Sequence, residues 1–244
     1  MEVHAHTHTE RKKWSHYFWE FLMLFLAVFC GFLAENQREH MVEHKREKQF
    51  VKSLINDLQL DTALLNGVTN STKRRMINID SLIRIIDQTD NNEIPANGYE
   101  YIRSATFQIL FFPNDGTITQ LKSSGGMRLI RNRAAVDSIE LYDRLLRRLE
   151  VRRDNTIGLI NDFREAVNKT ISGKDLLHAV YDSLFFGAKN TRQPIKLNDG
   201  YINELINQSI MLRILAIRDT AITSSTKTTA TNLIDFLRKE YHLE

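Results

Sequence analysis

The chain is poor in the residues that build turn-rich or disulfide-stapled folds. Its 244 residues include three prolines, ten glycines and one cysteine, Cys30. A single cysteine excludes an internal disulfide framework and a cysteine-based zinc site. So few turn residues argue against a sandwich or barrel of many short strands. The composition therefore favours an all-α fold built from long helices.

The chain also lacks a strong excess of either charge. It has 33 basic and 30 acidic residues and a formal net charge of +3, so we expect no dominant polyanionic partner and no nucleic-acid partner. A charged fraction of 26% excludes a polytopic membrane protein, and a hydrophobic fraction of 42% excludes a fully disordered chain. Phosphate-binding loops, nucleophile elbows and kinase signatures are absent from the sequence. No cofactor is predicted.

One hydrophobic run reaches membrane length, at residues 17–34 (YFWEFLMLFLAVFCGFLA), with Glu20 as its one charge. As a helix it spans roughly 27 Å, near the thickness of a bilayer's hydrocarbon core. Trp14, Tyr17 and Trp19 stand at its start, as is typical of the aromatic belt at a membrane interface. The run predicts a single transmembrane helix.

Three other interpretations compete for this run. A buried core helix would need a large protein around it, because apolar residues lie on all its sides. An interfacial helix would need a polar face. A cleaved signal peptide needs small residues at the last and third-last positions before the cut. If Ala34 were the last, the third-last would be Phe32, which is large. Glu20, one turn inside the run, either snorkels to the headgroups or contacts another helix in an oligomer.

The sequence predicts four segments. Residues 35–48 alternate charge signs without a helix breaker, so we expect the membrane helix to continue as a charged stalk. The predicted organisation is a polar tail at 1–16, the transmembrane helix at 17–34, the stalk at 35–48 and a helical bundle at 49–244.

Within the bundle, apolar residues recur at spacings of three and four, as on amphipathic helices. Asn66-Gly67 predicts the end of the first helix, Gly125-Gly126 a helix C-cap, and Asn132 the N-cap of a long helix. The Thr/Ser-rich stretch 220–231 contains no glycine or proline, so we expect a continuous helix there. The predicted helices are 50–66, 70–88, 99–112, 117–124, 132–170, 174–186 and 201–241.

Residues 11–62 and 117–142 resemble a family of uncharacterised single-pass bacterial membrane proteins that carry a domain of unknown function. The first stretch has an aromatic lead-in, Glu20 one turn into the apolar run, a charged stalk and QFVKSLINDLQLD. The second has TITQLKSSGGMRLIRN, followed by Tyr142. Gly126 and the phenylalanine-rich anchor depart from the family pattern. The resemblance implies a short cytoplasmic tail and a periplasmic C-terminal domain, and it implies no activity.

Histidines form three weak metal or catalytic patterns. His40, Glu43 and His44 match H-x-x-E-H, in which two histidines on one helical face bind zinc and the glutamate acts as base. A charged stalk offers no cleft for this chemistry, and no third ligand is marked. Arg38 and His44 have a spacing found in one ribonuclease superfamily, a permissive match. The N-terminal tail has alternating histidines, His4, His6 and His8. A flexible tail could bind a metal ion weakly through them, or the tail could simply be disordered and bind nothing.

Arginines form a basic ridge on the predicted long helix. Arg144, Arg148 and Arg152 are spaced by four and could together bind phosphate, lipid headgroups or an acidic partner. The alternative is a solvated face paired with neighbouring carboxylates.

These observations favour a membrane-anchored scaffold, sensor or interaction protein without catalytic activity. The alternative is a membrane-tethered metal-dependent hydrolase or nuclease using His40, Glu43 and His44. The expected partners are the lipid bilayer and a protein partner or further copies of the chain. We expect the bacterial inner membrane, with the N-terminus cytoplasmic and the C-terminal domain periplasmic. Flanking basic residues number three before the run and four after it, so they decide the orientation poorly.

Overall fold

The computed structural model describes residues 14–89, 91–107, 110–177 and 194–243. Most of these residues are helical, so the all-α class predicted from the scarcity of turn residues is confirmed. Residues 173–177 are also helical, and the rest of the helix predicted at 174–186 lies outside the described residues. The named helices are α1 Trp14–Asp87, α2 Gly98–Thr106, α3 Gly116–Ser123, α4 Arg133–Thr170 and α5 Ile202–Glu240.

A very small antiparallel sheet accompanies the helices. Strand β1, Glu93–Ile94, pairs with β2, Ile195–Lys196, so that Ile94 lies opposite Ile195. Both isoleucines are buried, and the pairing satisfies the backbone of two connecting segments where they cross hydrophobic side chains. No helix or strand is predicted from the sequence in these segments, because two-residue strands leave no periodicity to detect.

The chain divides into two compact units, Met1–Gln49 and Phe50–Glu244. In the first unit, every described residue, 14–49, belongs to α1. The helix predicted through the apolar run and the charged residues 35–48 is therefore present without a break.

Two predicted helix boundaries in the second unit are wrong. Helix α1 passes through Gly67 and ends at Asp87, because buried Leu65 and Thr69 on either side pack its face inward. Such packing outweighs the helix penalty of one glycine, about 1 kcal/mol. Helix α2 ends at Thr106 and not at Phe112.

Other predicted boundaries hold. Gly125, just after α3, has φ of +67°, a left-handed conformation that glycine adopts without strain. Asn132 caps α4, and its side-chain oxygen accepts a hydrogen bond of 3.1 Å from the backbone N–H of Ala135. Helix α4 ends at Thr170 as expected. Helix α5 continues through 220–231, which confirms the predicted continuity.

Two hydrophobic clusters form the core of the second unit. The first includes Val51 and Leu58 of α1, Ile139 of α4 and Leu237 of α5. The second includes Ile79 and Leu82 of α1, Phe163 of α4 and Leu212 of α5. Along each of the three helices, buried polar residues lie between the positions that enter the two clusters. We call these residues the polar layer: Thr69, Thr72, Arg75, Thr156, Thr223 and Thr226.

Gly67 and Gly125 provide a matched stability test. A Cβ at Gly67 would meet no atom within 4 Å, so Gly67→Ala should raise the free energy of unfolding by about 0.5–1 kcal/mol. Gly125→Ala should lower it by about 1 kcal/mol, because alanine is strained at positive φ. Urea unfolding of the detergent-solubilised chain measures both. Destabilisation by Gly67→Ala would show that α1 does not run through this position.

Candidate functional site

The apolar run in the first unit is uncovered by protein. Its most apolar 18-residue window is 0% buried, and α1 is the one described helix long and apolar enough to cross a membrane. A signal sequence meets the same length and composition criteria. Trp14, Tyr17 and Trp19 are all more than half exposed. Glu20 lies one turn after His16, with Oε1 3.1 Å from the Nε2 atom of His16.

His40, Glu43 and His44 also lie in the first unit, on α1. The Nδ1 atom of His44 is 3.3 Å from Oε2 of Glu47. Arg38, the other residue of the nuclease-like spacing, pairs with Glu35 through a 2.8 Å hydrogen bond donated by its Nε. Across the described ranges, no three His, Cys, Asp or Glu residues are grouped so as to hold a metal ion. His4, His6 and His8 lie outside the described residues.

The predicted arginine ridge is not one uniform surface. Arg144 and Arg148 are exposed, and Arg144 Nη1 is 3.9 Å from Glu140 Oε2. Arg152 is only 26% exposed and turns toward α5. There its Nε donates a 2.9 Å hydrogen bond to Oδ1 of Asp219. Arg152 is thus part of the bundle interior, while the other two remain available to solvent.

Asp219 is the charged centre of this interior region. It accepts the hydrogen bond from Arg152, and its Oδ2 lies 3.0 Å from the hydroxyl of Thr156. A cavity of about 50 Å³ adjoins the pair, enough for a water or two. The carboxylate links α5 to α4 where the two hydrophobic clusters give way to polar side chains.

Hydroxyl groups of the polar layer are satisfied within their own helices. Thr69, Thr223 and Thr226 each donate to the carbonyl oxygen four residues earlier, a common arrangement for helical threonines. The hydroxyl oxygens of Thr69 and Thr223 also lie 3.2 Å apart, across α1 and α5. The small side chains thus let α1 and α5 approach closely at Thr69 and Thr223.

Arg75 of α1 is the cation of the polar layer, and it is 4% exposed. Burial lowers the pKa of its guanidinium, and the negative charge of Asp219 acts in the opposite direction. The Nε and Nη1 atoms of Arg75 have no hydrogen-bond partner among the described residues. Unpaired buried donors are rare in folded proteins.

A second buried carboxylate, Asp61 of α1, ties three elements together. It is 0% exposed and accepts 2.8 and 2.9 Å hydrogen bonds from the backbone and side-chain nitrogens of Asn114. Tyr142 of α4 donates a 2.6 Å hydrogen bond to the other oxygen. Burial, and then this bond, raises the pKa of Tyr142, so the phenol stays protonated. One turn earlier, Asp57 accepts from the backbone N–H of Thr117 at 3.2 Å.

These contacts join the two stretches on which the family resemblance rests, because Asp57 and Asp61 belong to the first and Thr117 and Tyr142 to the second. Comparison of the chain with protein-family models, with curated proteins and with solved structures found no match. The site must therefore be interpreted from its own geometry.

The sequence analysis missed the buried charges Arg75 and Asp219. One signal was present for Arg75: Ser71, Arg74, Arg75 and Asn78 follow the i, i+3, i+4, i+7 spacing of a single helical face. The face is polar, and polarity alone does not distinguish a solvent-exposed face from one that lines a cleft.

The Arg152–Asp219 pair can be tested by a double-mutant cycle. Asp219→Ala should lower the free energy of unfolding by about 2–3 kcal/mol, because it leaves Arg152 partly buried without its acceptor. Arg152→Met combined with Asp219→Leu should cost less than the sum of the single changes. Arg144→Gln, in the exposed pair with Glu140, should stay within about 0.5 kcal/mol of the unmodified chain. Additive effects of Arg152 and Asp219 would contradict a direct pair.

Proposed function

We propose that this protein is a membrane-anchored helical bundle that acts as a scaffold or as a sensor and interaction protein, without catalytic activity. The observation that carries the proposal is the apolar run of α1, whose membrane-length window is unburied by protein. An apolar surface of this extent is not stable in water and calls for a lipid or protein cover. Its length fits a bilayer.

The flanks of the run support lipid as the cover. Trp14, Tyr17 and Trp19 are exposed together at one end, where amphipathic rings favour the headgroup region. The pair of Glu20 with His16 offers the carboxylate a polar partner toward that same end, which supports the snorkelling interpretation over an interhelical contact. A core helix would instead be buried in its own protein.

We further propose that the N-terminus is cytoplasmic and the second unit periplasmic in a bacterial inner membrane, with a protein partner or further copies of the chain as ligands of the bundle. The family resemblance supports this orientation. The interior carboxylates Asp61 and Asp219 are engaged in hydrogen bonds within the bundle, which supports an interaction role over catalysis, because general acid–base and nucleophilic residues need access to a substrate.

Membrane fractionation tests the anchor. The chain should stay in the pellet after washing with alkaline carbonate, and its intact mass should include residues 17–34. Replacing Leu26 and Val28 by Arg should release it, because charges at the centre of a span cost several kcal/mol. In a Cys30→Ser background, the exposed Lys239→Cys should react with an impermeant maleimide in cells with a permeabilised outer membrane.

Three results bear against the proposal in different ways. Release of the unmodified chain by carbonate rejects the anchor. A mature mass lacking the run identifies it as a signal sequence. Labelling of Lys239→Cys only after lysis reverses the orientation while leaving the anchor in place.

The alternative function, metal-dependent hydrolysis by the His40, Glu43 and His44 cluster, has its own test. On our proposal, replacing His40 and His44 by Ala leaves the zinc content of the purified chain unchanged, since a helical histidine pair alone holds zinc weakly. Elemental analysis after removal of any affinity tag measures this. A loss of one equivalent of zinc in the double variant, accompanied by loss of phosphodiesterase or peptidase activity, would favour the enzyme.

A further inference from the structure

A cleft of about 330 Å³ lies in the second unit, between α1 and α2. Its volume falls within the range of small-molecule sites, about 300–1,000 Å³. One wall is the polar face of α1 formed by Ser71, Arg74, Arg75 and Asn78. The opposite wall comes from α2 and the residue after it, and it includes Arg103. The lining is therefore rich in hydrogen-bond donors.

Arg75 is the buried cation in the lining of this cleft, and the residue is 4% exposed. Its Nε and Nη1 atoms are enclosed and have no hydrogen-bond partner among the described residues. The side chain also lines the cavity beside Asp219, whose negative charge acts on Arg75 but is shared with Arg152. An anion in the cleft would complete the compensation of this buried charge by Coulombic attraction.

The other charged residues of the cleft leave its lining with a net positive charge. Arg103 donates to Glu100 through Nε at 3.2 Å and Nη2 at 2.9 Å, so these two side chains neutralise each other. Arg74 is exposed, and no ion pair joins it to the residues that the structure describes. Arg74 and Arg75 thus place two positive charges on consecutive residues of the α1 wall.

We propose that this cleft binds a phosphate monoester, with Arg75 as the buried anchor and Arg74 as the second cation at its mouth. A phosphate monoester carries close to two negative charges at pH 7 and three acceptor oxygens. It therefore matches both cations, whereas a carboxylate matches one. Guanidinium groups bind phosphate in a two-point geometry that lysine cannot reproduce. The ligand could be a free phosphate compound or the headgroup of an anionic lipid.

The proposal goes beyond the anchoring function and does not depend on it. The test uses the full chain in nanodiscs of phosphatidylcholine, at constant ionic strength. Titration calorimetry with glycerol 3-phosphate and with inorganic phosphate should show saturable binding of one equivalent. Each ligand should also raise the thermal midpoint of the chain, because it binds only the folded state.

Variants separate a binding role of Arg75 from a structural one. Arg75→Met should weaken binding about tenfold or more, as expected for loss of a charge-assisted hydrogen bond. Without ligand it should be at least as thermally stable as the unmodified chain, because it removes an unpaired buried charge and keeps the side-chain length. Arg75→Lys should bind with intermediate affinity. Arg84→Gln, an exposed arginine of α1 outside the cleft, is the matched control and should bind normally.

Nanodiscs containing phosphatidic acid distinguish the two sources of the ligand. If the source is the lipid, these nanodiscs should raise the thermal midpoint of the unmodified chain and of Arg84→Gln but not of Arg75→Met, and they should compete with glycerol 3-phosphate. If the source is a soluble compound, they should change neither property. Absence of saturable binding in every arm, or equal binding by Arg75→Met, would overturn the proposal.

Discussion

Charged groups inside a helical bundle have to be paired by protein or ligand, because the interior does not solvate them. In the second unit this requirement links α1 to α4 and α4 to α5. Asp61 of α1 meets Tyr142 of α4, and Arg152 of α4 meets Asp219 of α5. At the exposed edge of the bundle, Arg213 of α5 pairs with Asp80 of α1. Because hydrophobic packing alone tolerates sliding by one helical turn, we infer that these contacts fix which turns face each other.

The hydrophobic pattern predicted the helices well because each long helix carries its own apolar face. It predicted their ends poorly wherever tertiary packing opposed a local signal. Gly67 is a helix breaker by propensity, yet buried neighbours hold α1 through it. Phe107 was expected inside a helix that reached Phe112, but α2 ends before it. Pro113 disfavours helix at the residue before it, which accounts for only the last part of that difference.

The polar interior was harder to predict than the helices. Arg144 and Arg152 have the same spacing on α4, yet one is exposed and the other half-buried against Asp219. Local spacing cannot distinguish them, because the difference arises from an α5 residue 67 positions away in sequence. From the sequence, the threonines of 220–231 could be placed in a helix and recognised as small, but the helix that they pack against could not be predicted. Their partner across the interface, Thr69, carries no separate signal.

Arg75 differs from Asp61, Arg152 and Asp219 in forming no hydrogen bond through its Nε and Nη1 atoms, although the charge of Asp219 acts on it. Asp61, Arg152 and Asp219 each have partners supplied by the chain, so replacing one of them strands another. Replacing Arg75 would leave no hydrogen-bonding group without its partner. An apolar side chain of similar length would fill the same space without unpaired donors. We therefore expect the empty bundle to be less stable than it would be with that alternative side chain. If the proposed anion pairs with Arg75, mass action makes the stability of the bundle depend on the concentration of that anion. This coupling would serve the sensor role that we propose.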